Sequence, residues 1–298
     1  MNKCFLLVFS LILIGCGGIQ SLGTSVLQAT GMLPGTSVFD ASESMVTAAK
    51  EMSREEEYYL GRAVAAKILE IYKPYNNQTV QDYIALVGAS AAAFSDMPDT
   101  FGGYHFMVLD SDEINAMAAP GGFIFITRGM LEIMPDEDAL AAVLAHEVSH
   151  VEKQHGLAAI SQSNLSEVLA GLGAVAGSLN CGELLTQATA VFGGAVDDVF
   201  TSLIEKGYSR DQEFEADAGA VQILYRAGYN PHSILVMLDE VGKSEAGEAG
   251  GWFDTHPETS RRKQKVVAVL ESDNIPASDT GRFARSKRFD QHVRQSAV

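Results

Sequence analysis

His146, Glu147 and His150 stand together in the run HEVSH. On an α-helix, residues four apart differ by about 40° of rotation, so both imidazoles leave one face toward a common point. Two imidazoles so aimed are a ligand pair for a divalent metal, and the H-E-x-x-H spacing is the zincin arrangement. Glu147 lies about 100° round the helix from His146, where it reaches a metal-held water without taking a ligand position. The chemistry this predicts is metal-assisted hydrolysis. Zinc lowers the pKa of its water and polarises a carbonyl, and Glu147 takes the water proton and returns it to the leaving amine.

A catalytic zinc generally has three protein ligands and an open position, so a third ligand is required. The metzincin extension would place Gly at 153 and His at 156, but Lys153 and Gly156 stand there. His155, if the helix ran on, would lie about 140° from His150 and face solvent or cap the helix end. A second helix offers a better donor. In SRDQEFEADAGAVQIL, Glu213 and Asp217 are four apart and share a face, whereas Glu215 points about 160° from Asp217. Glu213 can ligate the metal while Asp217 accepts an N–H from a ligand histidine, which fixes its tautomer.

HEVSHVEKQHG, the E-x-x-A-D core of SRDQEFEAD, the upstream NAMAAPGGFIFITRGML and the downstream THPETSRR together resemble, in this order, peptidase family forty-eight. That family contains the HtpX-like and CAAX prenyl proteases, and the closer likeness is to its periplasmic lipoprotein branch. The resemblance spans roughly residues 50–265. It implies one Zn2+ per chain held by His146, His150 and Glu213, with Glu147 as catalytic base, in a zinc-dependent endopeptidase that clears damaged envelope proteins. A peptide-binding chaperone or assembly factor is the competing expectation. Tyr208, Arg210, His256 and Arg262 are candidate transition-state donors. His256, after Trp252 and a Gly-rich loop, is also a candidate fourth ligand that would keep the enzyme latent.

Several elements must position these groups. Ser53 followed by three glutamates opens a helix over 52–73, and a second is expected over Val80–Ser95. YHFMVLD and GGFIFIT are β-rich runs separated by a turn-bearing segment. From Asp136 to the 240s the pattern is helical, with breaks at Gly156, near Asn180 and at Gly207. The expected fold is α+β, a mostly helical zincin-like domain with a small sheet beside the active-site helix. GGFIFIT is expected to be an edge strand, with Gly122, Phe123, Ile124 and Phe125 pairing with an extended polypeptide substrate by β-augmentation.

The chain of 298 residues has a net charge of -17, which opposes nucleic acid as a partner. Charge is uneven, since nine Lys or Arg face four acids from Arg261 onward. That basic tail is expected to pair with the acidic body, or to turn toward an anionic membrane. The opening MNKCFLLVFSLILIGC has an apolar run too short to span a bilayer and resembles a bacterial lipobox. The resemblance implies lipidation at Cys16 and an envelope protein facing the periplasm, anchored at the outer membrane. Residues 1–15 are then the signal, 16–45 a flexible tether, 46–265 the peptidase domain and 266–298 the basic tail. The apolar stretch from Val168 to Val196 is expected to be a buried helical hairpin or an apolar surface near the bilayer.

Overall fold

A computed structural model of the chain describes residues 52–160, 193–244, 252–256 and 259–295. The lipobox with Cys16, the tether and nearly all of the Val168–Val196 stretch lie outside these residues. The chain divides into two units, Met1–Glu51 with Ser161–Ala195, and Met52–Ile160 with Val196–Val298. Of the first unit only the helical residues 193–195 are described. Every element below belongs to the second.

Helix α1, Arg54–Ile71, starts where its sequence says it should. Ser53 Oγ accepts from Glu56 N while Glu56 accepts from Ser53 N, a reciprocal cap that satisfies two otherwise orphaned donors. Helix α2, Gln78–Ala92, is capped by Asn77. The chain then forms β1 (His105–Leu109), β2 (Ala116–Ala119), a short 3-10 turn (Pro120–Gly122) and β3 (Phe123–Thr127). Within that turn Gly121 has φ +73, a conformation that disfavours any side chain.

Strand order is β1-β3-β2, with β1 parallel and β2 antiparallel to β3. The FIFIT part of GGFIFIT is therefore the central strand and Gly122 lies in the turn before it, which corrects the expectation for Gly122, Phe123, Ile124 and Phe125. With partners on both sides, β3 has no free main-chain edge to offer a substrate. From Ile124 to Thr127 it is buried on both faces, as an apolar run without alternation should be. The edge facing away from β1 belongs instead to Ala116–Ala119, whose alanines carry little strand propensity.

After the short α3 (Arg128–Ile133), Asp136 caps α4, Glu137–Glu152, which carries HEVSH. Every residue of α4 from Glu137 to Val151 is buried, so ALAAVLA packs all round rather than on one stripe. Residues 196–201 are helical and run into a π turn, Ser202–Lys206, closed by Gly207 at φ +70. Ser209 and Gln212 then cap α5 (Arg210–Ala227), followed by α6 (Ser233–Ser244), α7 (Trp252–Thr255), α8 (Thr259–Ser272) and α9 (Arg282–Phe289).

One core joins Ile84 and Val87 of α2, Ile124 and Ile126 of β3, Leu140 to Ala145 and Val148 of α4, Val221 and Leu224 of α5, and Met237 and Leu238 of α6. Val266 and Leu270 of α8, Phe289 of α9 and Val293 enter the same core. The boundary expected after residue 265 thus falls inside α8, and the described part of the basic C-terminal segment contributes side chains to the core. Its arginines reach the body, with Arg285 Nη2 lying 3.0 Å from Asp138 and Arg288 Nε donating to Glu137 at 3.1 Å. No helix among the described residues is long and apolar enough to cross a membrane.

Candidate metal centre

The two helices that carry the motifs approach at Gly219. A Cβ there would lie 2.1 Å from Ser149 Oγ and 3.0 Å from its Cβ. Only a residue without a side chain lets α5 lie so close to α4. That proximity brings Glu213 to the histidine pair. His146 Nε2 and His150 Nε2 are 3.0 Å apart, and the Glu213 carboxylate lies 3.6 Å from the first and 3.4 Å from the second. His256 Nε2 approaches from the segment after α7, 3.9 Å from Glu213 and 3.7 Å from Glu147. Ligand atoms of His146, His150, Glu213 and His256 all lie within 4.8 Å of one another, and all four residues are buried.

These spacings suit a small tetrahedral cation. Nitrogen and oxygen donors held about 2.0–2.1 Å from a tetrahedral zinc stand about 3.3 Å apart, close to the observed separations. Both carboxylate oxygens of Glu147 and Nε2 of His256 are buried without a hydrogen-bond partner. Such groups are costly to bury unless something charged completes them. Two imidazole nitrogens also cannot face each other at 3.0 Å with both lone pairs free, so a proton or a cation must lie between them. The residues present therefore fit a divalent metal.

Electrostatics divide the cluster. Burial and the Arg262 charge push His146 down, but hydrogen bonds with Asp217 and Glu213 prevail and lift it to about 9. Burial holds His150 well below its ordinary value. Burial raises Glu147 to about 8 and lowers His256 to about 3. Glu213 is held well below the carboxylate range, because His256, Arg262 and the two motif histidines outweigh its burial.

Asp217 lies 3.0 Å from His146 Nδ1, the tautomer-fixing position expected of it. Arg262 is fully buried and grips Asp217 with two hydrogen bonds, Nε at 2.8 Å and Nη2 at 2.7 Å, while Nη1 lies 2.8 Å from Glu213. Its place is behind the ligands, joining the two acids of α5. Tyr208 stacks on the His150 ring at 4.0 Å and donates its hydroxyl to Ala118 O on the outer edge of β2. Arg210 is exposed in the first turn of α5, outside the buried cluster.

Thr255, His155 and Glu215 near the cluster escape sequence reasoning, while Trp252 stands beside His256 as its position in the chain suggests. Trp252 stacks on His256 at 3.8 Å and 10°, and Thr255 Oγ1 lies 2.9 Å from His256 Nδ1, so together they aim Nε2 inward. His155 is buried rather than facing solvent, because α4 ends at Glu152 and Gln154 turns the chain back at φ +56. Its Nδ1 lies 2.8 Å from His150 Nδ1 and its Nε2 lies 3.2 Å from Glu215. Extrapolating helical rotation past residue 152 hid His155, and with it Glu215. A second histidine soon after HEVSH was the available signal. A cavity of about 340 Å³ lies away from the cluster, bordered by Glu152, Glu215, Arg226 and Asp273.

Comparison with known proteins agrees with this geometry. The profile of Peptidase family M48 matches residues 74–269. The Beta-barrel assembly-enhancing protease of Yersinia pestis is 30% identical over 240 residues, covering 79% of this chain and 46% of that protein. Its namesake in Escherichia coli strain K12 is 29% identical over 167 residues, 56% of this chain and 33% of that protein. Metalloprotease LoiP of the same strain is 26% identical over 175 residues, covering 57% and 64%. The chain thus spans only part of each of these relatives. With both histidine and E-x-x-A-D motifs inside the matched region and their side chains gathered at one buried point, the chain belongs to peptidase family M48, a family of metallopeptidases.

Proposed function

We propose that the protein is a zinc-dependent metalloendopeptidase that cleaves extended or unfolded polypeptides of the bacterial cell envelope. The observation that carries this reading is the convergence of His146, His150 and Glu213 beside a Glu147 carboxylate that has no hydrogen-bond partner. His146, His150 and Glu213 hold the metal, and Asp217 keeps the His146 tautomer whose Nε2 lone pair faces it. Bound zinc supplies Lewis-acid polarisation of the scissile carbonyl and a water acidic enough to lose its proton near neutrality. Glu147 accepts the proton of the attacking water and passes it to the leaving amine. Arg262 holds Glu213 and Asp217 in register from behind.

The substrate lies along the outer edge of β2, whose Ala118 carbonyl now accepts from the Tyr208 hydroxyl and would instead accept from an incoming strand. Main-chain pairing favours extended chains of varied sequence, which suits quality control. His256 acts as a fourth ligand in a latent form, held by Trp252 and Thr255. Lipidation at Cys16 anchors the domain on the periplasmic side of the envelope, at the outer membrane.

A second reading draws support from the relatives named for enhancing β-barrel assembly. In it the edge of β2 holds extended segments during assembly and hydrolysis is secondary. Glu147→Gln separates the two. The zinc-loaded variant should lose about a hundredfold or more of casein cleavage, the worth of a positioned general base, while keeping wild-type zinc content. Undiminished cleavage would overturn the hydrolytic assignment. Loss of cleavage with envelope assembly intact would favour the holding role.

A further inference from the structure

The proposed reaction leaves His155 and Glu215 without a task. We propose that His155, backed by Glu215, is a positioning residue that fixes the metal-binding tautomer of His150. This rests on the assignment of His146, His150 and Glu213 as zinc ligands.

The two motif histidines are supported differently. His146 has a carboxylate directly on Nδ1, Asp217 at 3.0 Å. The Nδ1 of His150 instead faces another imidazole, His155 Nδ1 at 2.8 Å, and Nε2 of His155 faces Glu215 at 3.2 Å. Only one proton arrangement satisfies this row when His150 Nε2 offers its lone pair to a metal. His150 must then carry its proton on Nδ1 and donate it to His155 Nδ1. His155 must carry its proton on Nε2 and donate it to Glu215, whose carboxylate oxygens accept. The acid at the far end thus selects both tautomers, as a carboxylate does for a metal-ligating histidine through one contact.

The backbone is arranged to make this contact. Gln154 adopts φ +56, a left-handed conformation that a non-glycine residue rarely takes. The turn returns His155 N to His150 O at 3.0 Å, so the two residues meet through main chain and ring alike. His155 is buried, and Tyr208 stacked on His150 limits rotation of the ring that must be aimed. The Glu215 side chain, by contrast, is 63% exposed, which makes it a poor source of stability and removable without disturbing the core. Glu213, Glu215 and Asp217 then divide the work of one helix: ligand, remote acceptor for His150, direct acceptor for His146.

The experiment measures, on the full chain, zinc affinity by chelator competition, the visible spectrum after cobalt substitution, and melting of the zinc-free protein. His155→Phe should weaken zinc about ten- to a hundredfold, the usual worth of an outer partner of a ligand, and Glu215→Ala, one contact further out, by about tenfold, the low end of that range. Both should alter the cobalt spectrum. Glu215→Ala should leave zinc-free melting unchanged, and Glu215→Asp should restore part of the affinity. Wild-type zinc affinity and cobalt spectrum in Glu215→Ala and His155→Phe, with His150→Ala unable to bind, would overturn the relay alone. A loss of affinity in Glu215→Ala matched by lowered zinc-free melting would also overturn it, by making the role structural. A wild-type chain that binds no zinc, or a His150→Ala chain that binds it normally, would overturn the ligand assignment and the relay together.

Discussion

Glu147 and His256 face the same buried volume, 3.7 Å apart, and both lack a hydrogen-bond partner there. A carboxylate base needs room for water beside it, whereas an imidazole ligand at the same point fills that room. His256→Ala should therefore keep one zinc per chain on the remaining three ligands. It should also raise casein cleavage by about tenfold, which amounts to only about 1.4 kcal/mol of barrier. Metal analysis with a cleavage assay checks this, and a variant unchanged in both zinc affinity and activity would exclude any part for His256 in the centre. At this scale the sequence was most informative. HEVSH and E-x-x-A-D name His146, Glu147, His150, Glu213 and Asp217 because fixed helical spacing carries them. His155 and Thr255 depend on where helices end and how loops return, and no periodicity encodes that.

Helix α4 is held at its first turn by buried acids with named partners. Glu137 and Asp138 suit the positive end of the helix dipole, yet both are buried and need partners. Tyr83 donates to Glu137 at 2.8 Å, Asn230 N donates to Asp138 at 3.0 Å, and α9 contributes Arg285 and Arg288. Arg285→Ala would leave the Asp138 carboxylate buried without a counter-charge, at a cost of about 3 kcal/mol in unfolding free energy. Urea unfolding of the zinc-free chain measures it, and Asp138→Asn in that background should recover about half. The charge imbalance after Arg261 announced such pairing, but not its place beside the catalytic helix. The helices were legible from caps and apolar spacing. Strand β2 was not, because AMAA has neither β-branching nor alternation, and missing it made GGFIFIT look like an edge.

Across the whole molecule, the strongly negative net charge bears on partners less than on layout, since basic residues of the last segment are spent against acids of the body. Fold class was readable because long capped helices surround two β-rich runs. The domain boundary was not, since a basic surface on α8 and α9 conceals the core residues Val266, Leu270 and Phe289 on their other faces. The central claim is that α4 and α5 together close one zinc site. Anomalous diffraction at the zinc absorption edge, from crystals of the zinc-loaded chain, tests it most directly. The account predicts one peak within bonding distance of His146 Nε2, His150 Nε2 and a Glu213 carboxylate oxygen. A peak elsewhere, or one that Glu213 does not touch, would contradict it.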